Sequence, residues 1–367
     1  MYTLEAKNYT NSIQRLGRTL DGSNGELYMN WTCSGLRFNF KGACLLAELS
    51  AYYGEEYENP FDRTTGARKT WPYIAVFIDD AEEPVSYFEV NGGPKNYLIF
   101  SSKEEERHII TLRKMTENPK GKLSVNKFIT DGIIEKVEDD REKLMIEFIG
   151  DSITCGFGNL AKERDRLFYS VDENGWFSHA AVAARILKAQ FSIISYSGIA
   201  VSKGLGNIDW KAPCMPELYP YADKLLEESQ GEITTFTEWD FKQSKPDVIV
   251  LNLGTNDAAV IEFNGDISRG IQKFEEDYYH FMKMLRDKNG EEPWIICTLG
   301  SMDYYLFDNI AQVVERFCKE NKDDKIRCFK YGRMRLLDGY GACGHPSLST
   351  QIRMGQEIAD YINELMN

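Results

Sequence analysis

Histidine is scarce in this chain, with four in 367 residues, so a mechanism that needs an imidazole base has few places to find one. Cysteine occurs eight times but never as a Cys-x-x-Cys pair, which removes the usual zinc-ribbon and dithiol signatures and leaves scattered, reduced, mostly buried thiols as the expectation. Positive charge is in short supply: 43 Lys and Arg face 57 Asp and Glu, for a formal net charge of -14. Nucleic-acid backbones and anionic membrane surfaces would be repelled, so neither is expected as the principal partner and a neutral substrate fits better. No run approaches the ~18 consecutive apolar residues of a spanning helix. The start, Met1-Tyr2-Thr3-Leu4-Glu5-Ala6-Lys7, lacks a basic stretch leading into an apolar core, which sets the expectation of a cytoplasmic address. Internal repeats and low-complexity segments are missing too.

What is present is enough apolar material for two cores, 43% hydrophobic and 13% aromatic, in a chain longer than one core usually supports. The first part reads as short, partly alternating strands broken by Gly, Asn and Asp: Leu27–Trp31, Leu36–Phe40, Cys44–Leu49, Tyr73–Ile78, Tyr87–Val90, Tyr97–Phe100 and His108–Leu112. That spacing predicts a β-sandwich, with hairpin turns at Ile78-Asp79-Asp80 and Val90-Asn91-Gly92-Gly93. The charged stretch Val137–Lys143 marks the boundary, placing one domain at 1–137 and a second at 138–367. Beyond it, strands (Leu144–Gly150, Phe191–Tyr196, Pro246–Leu253, Pro293–Leu299, Ile326–Tyr331) alternate with helical periods (Gly175–Ala189, Gly270–Asp287, Asp308–Asn321, Thr350–Met366). Such alternation predicts an α/β domain, a parallel sheet flanked by helices. The irregular segment Gly204–Glu238 lies between them, a length of loop more often functional than idle.

The Leu144 strand ends abruptly in Gly150-Asp151-Ser152, which sets a hydroxyl at the carboxyl end of a parallel strand, where ligands gather in such sheets. A serine nucleophile needs a base and an oxyanion hole. Of the four histidines, His108 lies in a strand-like run and His179 and His280 lie within helical periods, where packing or surface roles suffice. His345 instead sits in a Gly-rich loop, Gly339-Tyr340-Gly341-Ala342-Cys343-Gly344-His345-Pro346, just ahead of the last helix. Candidate hole donors follow the same order along the chain: the Ser152 N–H, Gly198 after the Phe191 strand, and the Asn256 amide in Gly254-Thr255-Asn256-Asp257.

These blocks resemble those of the SGNH (GDSL-type) hydrolase superfamily. The β-rich first part, the Gly150–Gly158 run, Met215–Tyr219 and Asp338–Gly341 narrow the resemblance to carbohydrate esterase family two, bacterial acetyl esterases that carry a jelly-roll domain ahead of a flavodoxin-like SGNH domain. The resemblance implies a serine acyl-enzyme mechanism with Ser152 as nucleophile, His345 as base, and Ser152, Gly198 and Asn256 forming the hole. It also implies an acetylated xylan- or mannan-type oligosaccharide as substrate, without metal or cofactor. One departure stands out, because the carboxylate common two or three residues before the histidine is replaced here by Cys343 and Ala342. A Ser152–His345 dyad steadied by a backbone carbonyl is the first expectation, and Asp338 folding back as orienting acid is the second. Trp210 and Tyr219 are candidate sugar-stacking platforms. A thioesterase or lysophospholipase of the same superfamily, or a non-catalytic carbohydrate-binding protein, are the competing readings, and self-association through sheet edges is allowed.

Overall fold

The computed structural model describes residues 2–5, 12–57, 66–138, 143–204, 213–231, 234–242, 244–263 and 266–367. Trp210 and part of the charged boundary stretch lie outside them. None of the described helices is long and apolar enough to cross a membrane.

In the second part, five parallel strands stand in the order Gln190–Ser195, Met145–Gly150, Val248–Asn252, Trp294–Leu299, Ile326–Lys330. In chain order this is 2-1-3-4-5, the flavodoxin-like arrangement, whose switch point lies beside the first strand. The four strands from Gln190–Ser195 to Trp294–Leu299 are buried along almost their whole length because both faces are covered, while the edge strand Ile326–Lys330 exposes Arg327 and Lys330. Ile149, Ile194, Ile249 and Leu251 pack with Phe274, Phe281 and Val313 from helices Ile267–Asn289 and Phe307–Asn321. On the other side, Phe148, Ile193 and Val250 meet Ala180, Ala184, Met354 and Ile358 from helices His179–Ile186 and Leu348–Met366. The expected helix from Gly175 is divided: Gly175–Phe177 is a 3-10 turn, and Ser178 caps the α-helix that follows. Helix Thr255–Phe263 has no counterpart among the sequence expectations, since its residues do not follow a clean amphipathic period.

The first part is antiparallel and wraps a single apolar core that includes Phe38, Phe40, Leu45, Leu49, Ile74, Ile110 and Phe128. Two of its strands are far longer than expected. Leu36–Phe40 and Cys44–Leu49 belong to one strand, Gly35–Tyr57, and Tyr97–Phe100 and His108–Leu112 to another, Lys95–Lys114. The Lys41-Gly42-Ala43 break that looks like a turn is a register shift, pinned where Asp131 Oδ1 accepts from the N–H groups of Ala43 and Cys44 at 3.0 and 2.9 Å. Ile78-Asp79-Asp80 does form a tight turn, both aspartates having positive φ. Val90–Gly93 does not close a hairpin: strand Ser86–Glu89 pairs with Tyr73–Ile78, which separates it from Lys95–Lys114.

Candidate active site

Register levels the strand ends that matter: Gly150 lies opposite Ser195 on one side and Asn252 on the other. The loops carrying Ser152, Gly198 and Asn256 therefore leave the sheet at one height. At Gly150 a Cβ would fall 2.0 Å from Thr154 Oγ1, so the strand must end in glycine for the chain to turn. Asp151 accepts the Ile153 N–H at 2.9 Å and caps the short helix Ser152–Cys155, which Gly156 closes at φ 78°. This cap fixes Ser152 at the helix start with only 8% of its surface exposed. Burial pushes the Asp151 carboxyl up to about 7 even with that N–H donated to it.

His345 reaches Ser152 because its loop is laced to the chain that follows the serine helix. The N–H groups of Ala342, Cys343 and Gly344 donate to the carbonyls of Gly158, Arg166 and Arg164 at 2.9, 3.0 and 2.9 Å. A Cβ on Gly158 would sit 2.4 Å from that of Ala342, so this approach needs glycine. The result is a contact of 2.9 Å between His345 Nε2 and Ser152 Oγ. Nδ1 lies 3.1 Å from the Ala342 carbonyl. An Nδ1–H donating to that carbonyl leaves the Nε2 lone pair facing the serine hydroxyl. Phe157 packs against the imidazole at 4.4 Å between centroids with the rings tilted by 41°, and stacks on Phe168 at 4.3 Å. Burial there pushes His345 down to about 4, only partly offset by backbone carbonyls.

Asp338, the second expectation for the orienting group, does not meet the imidazole. Its carboxylate lies 3.3 Å from both Nε and Nη2 of Arg353, which the last helix presents directly opposite it. A permanent cation within reach holds it there, and the Ala342 carbonyl occupies the position a triad carboxylate would take.

The loop after Ser195 is anchored at both ends. Gly198 has φ 80°, a conformation that favours glycine, within a turn closed by Ile199 N–H donating to Tyr196 O at 3.2 Å. Ser197 N–H donates to Glu117 Oε2 at 2.6 Å, and buried Asp257 accepts from Val201 and Ser202 N–H. Asn256 Nδ2 donates to Ile199 O at 2.8 Å and lies 3.5 Å from Asp151 Oδ2. The Asn256 amide thus spans the hole loop and the nucleophile turn, with Asp257 beside it pushed up to about 6 by burial.

Tyr219 is no platform. It is fully buried, its hydroxyl donating to Glu147 Oε1 at 2.7 Å and its ring lying under the Arg18 guanidinium at 4.6 Å. An aromatic in a long segment looked available for ligand, yet here it anchors that segment to the sheet. Phe157 and Glu117 were not anticipated. Phe157 stood in the quoted Gly150–Gly158 run, whereas Glu117 carries no motif and arrives from the other domain.

Glu117, Cys155 and Glu173 place one ligand-type atom each within 4.8 Å of one another, all buried. Lys120 Nζ lies 3.9 Å from Glu117 Oε1, and burial pushes the Cys155 thiol well up, away from the thiolate a metal would bind. The donor set suits an ion-pair cluster better than a cation site.

Serine, imidazole and a glycine-built loop at the carboxyl end of a 2-1-3-4-5 sheet define a serine hydrolase of the SGNH type. Residues 146–358, more than half the chain, match the GDSL-like lipase/acylhydrolase model, and the protein belongs to that family. Ahead of it, residues 15–134 match the carbohydrate esterase 2 N-terminal domain, so the two-domain architecture is that of a family two carbohydrate esterase. The chain is 30% identical over 288 residues to cellulase/esterase CelE of Acetivibrio thermocellus, aligning with 77% of this chain and 33% of CelE, so it spans about a third of that relative. It is 26% identical over 272 residues to an acetylxylan esterase / glucomannan deacetylase of Cellvibrio japonicus, covering 70% of this chain and 69% of that protein. Among solved structures, a family two carbohydrate esterase from Clostridium thermocellum in complex with cellohexaose is 25% identical with a TM-score of 0.80, over 96% of this chain and 99% of that one. The acetyl xylan esterase Est2A of Butyrivibrio proteoclasticus, 21% identical, shares the fold with a TM-score of 0.82 over 100% and 98%.

Proposed function

We propose that the protein removes O-acetyl groups from plant-polysaccharide-derived oligosaccharides of xylan or mannan type. The observation that carries this reading is the 2.9 Å contact of Ser152 Oγ with His345 Nε2 while Nδ1 faces the Ala342 carbonyl. Ser152 Oγ attacks the acetyl carbonyl as His345 Nε2 takes its proton, and the oxyanion is received by the Ser152 and Gly198 N–H groups and the Asn256 amide. His345 returns the proton to the departing sugar oxygen, leaving acetyl-Ser152, and water activated by the same imidazole releases acetate. In the resting geometry the Asn256 amide donates to Ile199 O at 2.8 Å, and its second N–H, 3.5 Å from Asp151 Oδ2, is the one less firmly engaged and available to the oxyanion.

The names of the relatives, acetylxylan esterase and glucomannan deacetylase, support acetyl as the acyl group and a xylan- or mannan-type polysaccharide as its carrier. Position-resolved mass spectrometry of acetylated xylo-, manno- and cello-oligosaccharides tests both. Loss of acetyl from at least one series, absent in S152A, is expected. A preference for p-nitrophenyl esters of eight carbons or more over the acetate would overturn the reading in favour of a longer-acyl hydrolase.

A further inference from the structure

The β domain holds part of the reaction centre in place through one side chain. Glu117 follows the long Lys95–Lys114 strand and is fully buried. Its backbone is clamped by Lys114 Nζ, which donates to the carbonyls of Asn30, Thr116 and Glu117 at 2.9, 2.7 and 2.7 Å. From that fixed base the carboxylate crosses into the catalytic domain. Oε2 accepts the Ser197 N–H at 2.6 Å, a short charge-assisted bond, and lies 3.6 Å from the thiol of Cys155, the last residue of the Ser152 helix. One group thus touches both the loop that carries Gly198 and the helix that carries the nucleophile.

We propose that Glu117 is a positioning residue for acyl transfer, fixing the Ser197–Gly198 turn so that the Gly198 N–H meets the oxyanion formed at Ser152. The proposal rests on the Ser152 mechanism above. The bonds that hold the turn include the Ile199–Tyr196 bond within it, the Tyr196 N–H donated to Gly150 O at 3.3 Å, and the Glu117 carboxylate, which alone among these comes from the other domain. Without Glu117 the Ser197 N–H loses its acceptor, and the peptide that follows, which carries the Gly198 N–H, is aimed less firmly. Because the donor is needed only once the carbonyl oxygen becomes an anion, its misplacement lowers turnover and leaves ground-state affinity alone.

Glu117 also sits in an ion-pair cluster, with Lys120 Nζ 3.9 Å from Oε1 and Glu173 Oε2 accepting the Glu117 N–H at 3.3 Å. Two conservative variants separate that role from positioning. E117D keeps the charge but withdraws the acceptor by one methylene; E117Q keeps the reach and gives up the charge. Kinetics on p-nitrophenyl acetate, normalised to the fraction of Ser152 labelled by a phosphonate probe, should show E117D losing about 10- to 100-fold in kcat at unchanged KM. E117Q, whose amide oxygen can still accept the Ser197 N–H, should stay much closer to the parent. Full kcat in E117D, a deeper loss in E117Q than in E117D, or kcat and KM moving together would each overturn positioning. S152A run in parallel keeps the two claims apart: turnover retained there overturns the serine mechanism and this proposal with it, whereas an inactive S152A beside a fully active E117D overturns the proposal alone.

Discussion

The two halves of the site are held by opposite means. On the histidine side the polar holders of the imidazole and its loop are backbone carbonyls: Ala342 O faces Nδ1, and the loop is pinned by N–H groups donating to the carbonyls of Gly158, Arg164 and Arg166. On the oxyanion side the holders are carboxylates, with Glu117 on Ser197 N–H and Asp257 on Val201 and Ser202 N–H. Negative charge is thus withheld from the base and concentrated behind the loop that must receive an anion. A carboxylate beside the imidazole would raise its basicity; a carboxylate gripping backbone N–H groups fixes their direction and orders the loop before the reaction begins.

The most severe way to test this division is to remove its shared element. S152A or H345A should cost about 10⁵- to 10⁶-fold in kcat on acetyl esters, measured against enzyme scrubbed of contaminating esterase. Next comes the oxyanion side: N256A should lose about 10²–10³ in kcat, and a loss below tenfold would mean the amide serves only to tie Ile199 to the nucleophile turn. D338N asks whether the histidine side truly lacks a carboxylate. It should leave kcat unchanged and lower stability by about 1 kcal/mol or less through the Arg353 pair, read from denaturant melts. A loss near the ~10⁴-fold that follows removal of a triad carboxylate elsewhere would instead restore Asp338 as the orienting group.

The finest test is pH. The base must be neutral to accept a proton, and burial sets His345 at about 4, so the histidine limb of kcat/KM should halve near about 4, well below the ordinary imidazole value of 6.5 and below any step from Asp151 and Asp257, which burial sets at about 7 and about 6. Stability needs watching over the same interval. Buried His179 is also pushed down to about 4, so the unfolded chain takes up its proton near 6.5 and the folded chain does not. The contribution of both histidines to stability is intact above about 6.5 and shrinks as pH falls toward 4, and melting temperatures recorded at each pH separate this from the kinetic limb.

The placement of Ser152, Gly198 and Asn256 just past the carboxyl ends of parallel strands, and of His345 in the loop ahead of the last helix, was legible because strands and helices leave their periods in the sequence. Glu117 was not, since a single glutamate after a strand has no spacing partner, and only the docking of two domains brings it to Ser197. Asp338, the second expectation behind the dyad, rested on nearness in the chain to His345, whereas its carboxylate is taken by Arg353, fifteen residues on. Tyr219 failed as a platform because loop composition does not reveal whether an aromatic ring faces solvent or a buried partner. That partner, Glu147, was itself a signal, a lone carboxylate inside the apolar run Leu144–Ile149. The long strand Gly35–Tyr57 was hidden by Gly42, which reads as a break where the fold uses it at a register shift, and Lys95–Lys114 by the polar stretch Ser101–Arg107 between its apolar runs.

Glu147 bears on protein engineering. Its carboxylate takes the Tyr219 hydroxyl and, at 3.4 Å, the guanidinium of Arg18, which belongs to the β domain and also donates to the carbonyls of Tyr219 and Tyr221. The strand that delivers the nucleophile therefore carries a buried anion whose counter-ion comes from across the domain junction. Removing the guanidinium alone, as in R18M, would strand the anion in an otherwise intact junction, at a cost of about 3–5 kcal/mol for an orphaned buried charge, and a truncation beginning at the junction removes the same counter-ion. The two family segments are readable as separate modules, yet the hydrolase half cannot be cut out and grafted as a cassette unless Glu147 is neutralised or Arg18 is supplied with it.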